Sequence, residues 1–378
     1  MKFEIDDLIR LAKRENNTKR PYLYVNLLQG KHVPVSPSCA LEMFSLLAKK
    51  VERRYQGESI LAIGFAETAT AIGSSIAYEA ANVTCYMNTT REDVSQTGYL
   101  FFTESHSHAT EQRLALDRLD DFIAGVDRIL FVEDEVTTGN TIEKLIHVLK
   151  ERYPKRAMAF GIISILNSMS DSRLLDLKAQ GIDWDCLYRI PSGYRVGDIE
   201  QYIYEKPEPM VDITPQILVK GRSIGGYWNC RLVCSTEEIR EKCKGFLETI
   251  NRQITMPDGP CQILVLGTEE FMFPAMLFGH ALEQTVPEAK VRFHATTRSP
   301  IEVSLNQTYP LHQRVALDSF YEAERKTFLY NLVAYDRAVI VTDAAEINRR
   351  GLDGLVCALE RAGTTDVTWI KWGHFNEE

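Results

Sequence analysis

At 378 residues, with 45% hydrophobic and 25% charged residues, the chain has the make-up of a globular protein long enough for two ordinary domains. Its 52 acidic against 43 basic residues leave a formal net charge of -9, which argues against a nucleic-acid surface spread over the whole protein. No apolar run approaches the roughly 20 residues needed to span a bilayer, and "MKFEIDDLIRLAKRENN" lacks the apolar stretch of a signal peptide. The expectation is a cytoplasmic protein that engages neither nucleic acid nor membrane.

In chain order, "LYVNLL" predicts a strand and "SCALEMFSLLAKKVERR" a helix, with Ala40, Phe44, Leu47 and Val51 on one face. "SILAIGF" predicts the next strand, "ATAIGSSIAYEA" a helix and "VTCYMN" a further strand. After a polar gap come the strand "RILFVED", the helix "TGNTIEKLIHVLKERY" and the strand "AMAFGIISIL". Apolar strands alternating with helices indicate an α/β fold with a parallel sheet, whose ligands sit at the carboxyl ends of the strands. Proline and charge interrupt the pattern at "EKPEPMVDITP", which sets the expected domain boundary at 208/209, giving domains 1–208 and 209–378. Beyond it "CQILVLG", "KVRFHAT", "DRAVIVTD" and "DVTWIKWG" read as strands of a second α/β domain. The eight cysteines lie mostly in apolar runs. Cys230, Cys234 and Cys243 alone are close together, without the pairing or fourth ligand a zinc site needs.

In "RILFVEDEVTTGNTI" the strand delivers Glu133 and Asp134 to the sheet edge, and a turn of small residues precedes a helix. Such a turn exposes backbone N–H groups suited to phosphate, with hydroxyls at Thr137, Thr138 and Thr141 and freedom at Gly139. Carboxylates repel phosphate, so the acids must serve other groups, namely vicinal hydroxyls or a hard cation such as Mg²⁺. A sugar phosphate fits both halves. The Gly-Lys-Ser/Thr ending of a Walker loop is absent.

"ILFVEDEVTTGNT" resembles the 5-phosphoribosyl-1-pyrophosphate (PRPP) signature of type I phosphoribosyltransferases. The resemblance implies that family's Rossmann-like parallel sheet, Glu133 and Asp134 on the ribose hydroxyls, and Val136, Thr137, Thr138, Gly139, Asn140 and Thr141 around the 5-phosphate. It also implies Mg²⁺ carried through PRPP, with Glu133 and Asp134 as its protein ligands, and a homodimer. "FAETATAIG" is similar to the family's pyrophosphate loop, so Phe65, Ala66, Glu67, Thr68 and Ala69 are candidate donors, although Gly64 and Gly73 equally suit helix-to-sheet packing. The long polar stretch 89–113 stands where the family's mobile loop closes, and it offers Arg91, His106, His108 and Arg113 as catalytic or pyrophosphate-neutralising groups. "LLQGKHVPV" is similar to a segment that contacts the acceptor in orotate-type enzymes, making Lys31 and His32 candidates against the ordinary-loop reading. Thr137 stands where purine-salvage relatives carry an aspartate, which disfavours hypoxanthine or guanine as acceptor.

"FHATTRSPIEVS" and "VLGTEEFMFPAMLFGHALE" resemble the TRSP domain found behind such transferases in bacterial tellurium-resistance and stress gene clusters. Glu269, Glu270, Thr297, Arg298 and Ser299 would line a second site, or Arg298 would serve a cap or an ion pair. The halves also align with each other. "ILAIGFAETATAIGSSIAYEAANVTCYMNTTRE" and "ILVLGTEEFMFPAMLFGHALEQTVPEAKVRFHATTRS" share strand, loop, helix, strand and Thr-Thr-Arg, and "RILFVEDEVTTGNT" faces "RAVIVTDAAEINRR". Either the second domain is a degenerate copy of the first or recurrent βαβ units produce the likeness. The activity implied is transfer of phosphoribosyl from PRPP to a base-like nitrogen acceptor; the alternative is a PRPP-binding sensor without turnover.

Overall fold

The computed structural model describes residues 3–17, 20–94, 96–102, 111–190, 197–206, 214–255 and 259–373. In chain order the strands are β1 (Ile9–Lys13), β2 (Tyr22–Asn26), β3 (Ile60–Gly64), β4 (Val83–Asn88), β5 (Tyr99–Phe101), β6 (Arg113–Ala115), β7 (Arg128–Val136), β8 (Ala159–Asn167) and β9 (Ile182–Arg189). They continue as β10 (Lys220–Ile224), β11 (Cys234–Ser235), β12 (Cys261–Gly267), β13 (Ala289–Ala295), β14 (Arg314–Asp318), β15 (Lys326–Tyr330), β16 (Arg337–Thr342) and β17 (Val367–Trp372).

The chain packs into two compact units. One holds Leu41–Gly193 with Trp228–Lys242, the other Met1–Ala40, Tyr194–Tyr227 and Cys243–Glu378. This differs from the single cut expected at 208/209. The reason is main-chain pairing, which assigns each short arm to the sheet that takes its hydrogen bonds. Cys234 pairs antiparallel with Tyr86 of β4, and Val35 bridges Phe293 of β13.

In the 41–193 unit the sheet order is β11-β4-β3-β7-β8-β9, parallel from β4 to β9. All five residues of β3 are buried, which suits a covered parallel sheet and explains the unbroken apolar run. Helix Thr70–Glu79 is buried from Thr70 through Ala77, so its weak amphipathicity follows from having little solvent face. Helix Pro37–Arg54 buries Ala40, Phe44, Leu47 and Val51 as predicted. The other unit holds the sheet β10-β17-β16-β12-β13, all parallel. The strands carrying "ILAIG" and "ILVLG", and those that follow each, therefore lie in the same order, β4-β3-β7-β8 and β13-β12-β16-β17.

Hairpins β5–β6 and β14–β15 are not legible as strands in the sequence, since three to five residues carry too little alternation to read. Strand β9, "IDWDCLYR", is hidden because its acids break the apolar run.

Gly64 and Gly73 are packing residues. A Cβ at Gly73 would stand 2.7 Å from Tyr86 Oη and 3.1 Å from the Gly64 Cα, and one at Gly64 would stand 2.5 Å from the same hydroxyl. Tyr86 therefore fills the space both glycines vacate. Gly73→Ala should destabilise the fold by about 1–3 kcal/mol through overpacking, measured by urea unfolding; an unchanged midpoint would mean that Tyr86 yields freely.

Candidate active site

Strand β7 carries Glu133, Asp134 and Glu135 to the carboxyl edge of the sheet and stays paired with β8 as far as Val136↔Asn167. The chain then turns through Thr137 and Thr138 to Gly139, whose φ of 71° is left-handed, and helix Asn140–Arg152 begins. A side chain at 139 would be strained there, which accounts for the glycine. Three contacts fix the turn. Asn140 N donates to Thr138 Oγ1 at 3.4 Å, Arg173 Nε donates to the Thr138 carbonyl at 2.7 Å, and Ser168 N donates to the Val136 carbonyl at 2.9 Å. Thr138, Asn140 and Thr141 are exposed around the helix N-terminus, where backbone N–H groups and the helix dipole stabilise an anion. Arg173, which also pairs with Glu143, has no sequence signal because it lies in a different helix.

The predicted pyrophosphate loop meets this motif directly. Thr68 Oγ1 donates to Asp134 Oδ1 at 2.8 Å. The loop is held at its base by Thr89, whose Oγ1 accepts from Ala66 N at 2.9 Å, and Gln112 Nε2 donates to the Ala66 carbonyl at 2.8 Å. Phe65, Ala66, Glu67 and Ala69 are buried, and the peptide joining Ala66 to Glu67 is cis. Desolvation, followed by the neighbouring Asp134 charge, pushes the Glu133 carboxyl well above its ordinary range. An adjacent pair of carboxylates, one reluctant to ionise, suits vicinal hydroxyls or a hard cation brought with the substrate.

Two family models match the chain. One, described as phosphoribosyl transferase, matches residues 8–187, and the other, described as the TRSP domain C-terminal to it, matches 233–359. The chain belongs to the phosphoribosyl transferases that carry a C-terminal TRSP domain. Among solved structures it is similar to adenine phosphoribosyltransferase from Trypanosoma brucei, with 11% identity, a TM-score of 0.39 and coverage of 55% of this chain and 86% of that one. It is also similar to adenine phosphoribosyltransferase from Rhodothermus marinus, with 13% identity, a TM-score of 0.34 and coverage of 49% and 96%. A hypoxanthine phosphoribosyltransferase from Staphylococcus aureus gives 15% identity, a TM-score of 0.24 and coverage of 41% and 74%. No curated protein matches the chain.

The other expected residues of the transferase fare differently. Arg113 lies in β6, pairs with Asp93 at 2.5 Å and stacks over the Tyr99 ring at 4.2 Å, so its charge is already engaged. Arg91 follows Thr90, whose backbone bridges Arg113. His106 and His108 lie outside the described residues. Lys31 and His32, expected beside the transferase site, belong to the other unit. There Lys31 is fully buried and its Nζ donates to the Glu269 and Thr296 carbonyls at 2.6 and 2.9 Å. That placement is set by the antiparallel bridge at Val35, which no local pattern announces.

In the TRSP-bearing unit the predicted second-site residues neutralise one another. Arg298 contacts Glu269 Oε2 at 2.7 Å and Glu270 Oε1 at 3.3 Å, and Arg325 reaches Glu269 Oε2 at 3.0 Å. Thr297 bridges Phe328 through its backbone, and its Oγ1 accepts from Ser299 N at 3.2 Å. Among the described residues no helix is long and apolar enough to cross a membrane.

Removing a partner from a buried ion pair strands the opposite charge, so Arg298→Ala should lose about 3–5 kcal/mol in denaturant unfolding; a loss under about 1 kcal/mol would show that water reaches Glu269 and Glu270. A second outcome concerns pH. The folded Glu133 keeps a proton that the unfolded chain releases from about pH 4.5 upward, so this group lowers stability as pH rises through that window. Glu133→Gln abolishes the effect, and its advantage over the unmodified protein should widen as pH rises above about 4.5, by at most about 1.4 kcal/mol per unit. Parallel melting curves across that range would contradict the raised Glu133.

Proposed function

We propose that the transferase unit moves the 5-phosphoribosyl group from PRPP to a nitrogen nucleophile, releasing pyrophosphate with inversion at the anomeric carbon. The observation that carries this reading is the Thr68 to Asp134 hydrogen bond, which brings the loop suited to pyrophosphate and the acids suited to ribose hydroxyls into one constellation. The Thr137 to Thr141 turn anchors the 5-phosphate at the start of helix Asn140–Arg152. The anomeric carbon then lies between the two loops.

Cleavage of the anomeric bond places positive charge on the ribose ring and negative charge on the departing pyrophosphate. Glu133 and Asp134 hold the hydroxyls, and the Asp134 carboxylate favours the ring charge. Backbone donors of the 65–69 loop and the Arg91 guanidinium favour the leaving group. Among the described residues no group of three or more His, Cys, Asp or Glu is arranged to hold a metal. Glu133 and Asp134, oxygen donors at one strand end, fit a Mg²⁺ that arrives with PRPP and takes its other ligands from substrate oxygens; bound there, it would neutralise pyrophosphate charge.

The acceptor is a base-like compound of a nucleoside-like metabolite pathway, of the tellurium-resistance kind that the TRSP resemblance implies. Threonine at 137 leaves no acid there to face a purine ring, which disfavours hypoxanthine and guanine.

Asp134→Asn should lower PRPP turnover by at least about a hundredfold while moving the melting temperature little, because a strand-end carboxylate contributes little to the core. Phosphorus NMR of protein, Mg²⁺ and PRPP with a small-molecule extract follows pyrophosphate release in both proteins. Loss of activity in step with loss of stability would undo the assignment.

A further inference from the structure

The two units agree in detail beyond strand order. With Gly64 of β3 set against Gly267 of β12, the registers coincide: Gly64 pairs with Asn88 and Val132, Gly267 with Ala295 and Val341. One strand further, Val132 pairs with Ile163 and Val341 with Ile370. Thr89 N donates to the Gly64 carbonyl at 2.9 Å, and Thr296 N donates to the Gly267 carbonyl at 3.1 Å. The hydroxyls repeat as well, since Thr89 Oγ1 accepts from Ala66 N and Thr296 Oγ1 accepts from Glu269 N at 3.0 Å. Thr90 and Thr297 each bridge an inserted hairpin, at Arg113 and Phe328. Residues 133–139 and 342–348, equal in length, lead to the helices that begin at Asn140 and Arg349. Recurrent βαβ units explain a shared strand order, but not shared side-chain bonds and loop lengths.

The arms correspond too. Cys234 pairs with Tyr86 and Val35 with Phe293, positions two residues before Asn88 and Ala295. Ser36 and Ser235 follow, before helices Pro37–Arg54 and Thr236–Gln253. Yet each arm belongs to the unit built on the other half of the sequence. The arms are exchanged.

In the TRSP-bearing unit the exchanged arm delivers Lys31, whose ammonium binds the carbonyl of Glu269, the counterpart of Ala66 in the pyrophosphate loop. In the transferase unit the corresponding stretch places Cys230, whose carbonyl accepts from Asn88 N at 2.7 Å, at the register position of Lys31, and Arg231, 4% exposed, at that of His32. Its own N–H is fixed by Asn229 Oδ1 at 3.1 Å. Arg231 thus enters where β4 ends, just before Thr89, Thr90 and Arg91. A guanidinium offers several donors to phosphate oxygens.

The second copy offers no equivalent phosphate turn. Asn348 N donates to the Phe320 carbonyl at 3.0 Å and Asn348 Nδ2 to the Ser319 carbonyl at 2.7 Å, so carbonyl oxygens occupy the start of helix Arg349–Arg361.

We infer that the chain is two copies of one transferase fold with exchanged arms, and that through this exchange Arg231, from the second half of the sequence, binds the pyrophosphate end of PRPP in the first. The inference rests on the proposed use of PRPP. The test is calorimetry on the full chain with Mg²⁺, titrating PRPP, inorganic pyrophosphate and ribose 5-phosphate into the unmodified protein, Arg231→Gln, Arg231→Lys and Asp134→Asn. Arg231→Gln should weaken PRPP and pyrophosphate by about ten- to a hundredfold, as loss of a charge-assisted contact does. Ribose 5-phosphate should bind as before, and Arg231→Lys should fall between. Unchanged pyrophosphate affinity in Arg231→Gln would overturn the inference, and so would equal weakening of pyrophosphate and ribose 5-phosphate, the mark of a structural arginine. Absence of PRPP binding in the unmodified protein would instead overturn the transferase reading itself. Weakened PRPP in Asp134→Asn with no change in Arg231→Gln would leave that reading standing and remove Arg231 alone.

Discussion

One hydrogen bond recurs where each sheet opens to its loops: a threonine hydroxyl at the end of the second strand accepts from the second N–H of the loop after the first. Thr89 does this for Ala66 and Thr296 for Glu269. A loop leaving a parallel strand has main-chain donors with no neighbouring strand to receive them, and they must be paired or hydrated. The threonine pairs one and fixes where the loop runs. In the transferase unit that course brings Thr68 to Asp134, so the geometry of the proposed site depends on Thr89, a residue with no assigned contact to substrate.

The same framework carries opposite electrostatics in the two units. The transferase unit places Glu133 and Asp134 together beside a turn suited to phosphate, and desolvation pushes the Glu133 carboxyl well above its ordinary range. Such an arrangement is not what stability alone would select, and perturbed carboxyls at strand ends mark functional sites. The TRSP-bearing unit instead spends Arg298 and Arg325 on Glu269, and closes the start of its equivalent helix with carbonyls from the β14–β15 hairpin.

Exchange of arms changes what a domain means in this chain. Residues before helix Pro37–Arg54 pair with the sheet of the second half, and residues before helix Thr236–Gln253 pair with that of the first. A fragment ending near residue 208 would lack β11 and with it an edge of its own sheet. The two halves of the sequence therefore do not coincide with the two compact units.

The sequence by itself determined the elements whose cause is local. Buried parallel strands show as largely apolar runs, which made β3, β4, β7, β8, β12, β13, β16 and β17 legible, and the two acids followed by a Thr-Gly turn stand out in the same local way. Even the likeness of the two halves could be read, because "ILAIG" and "ILVLG", and the two Thr-Thr-Arg strings, preserve it. Only the tertiary structure decided which unit each arm joins, that Lys31 serves the second sheet, that Arg113 is held by Asp93 and Tyr99, and that Arg173 steadies the turn at Thr138. Pairing between residues far apart in the chain is set by main-chain donors and acceptors, which every residue but proline carries in full, so it leaves no mark in the order of side chains.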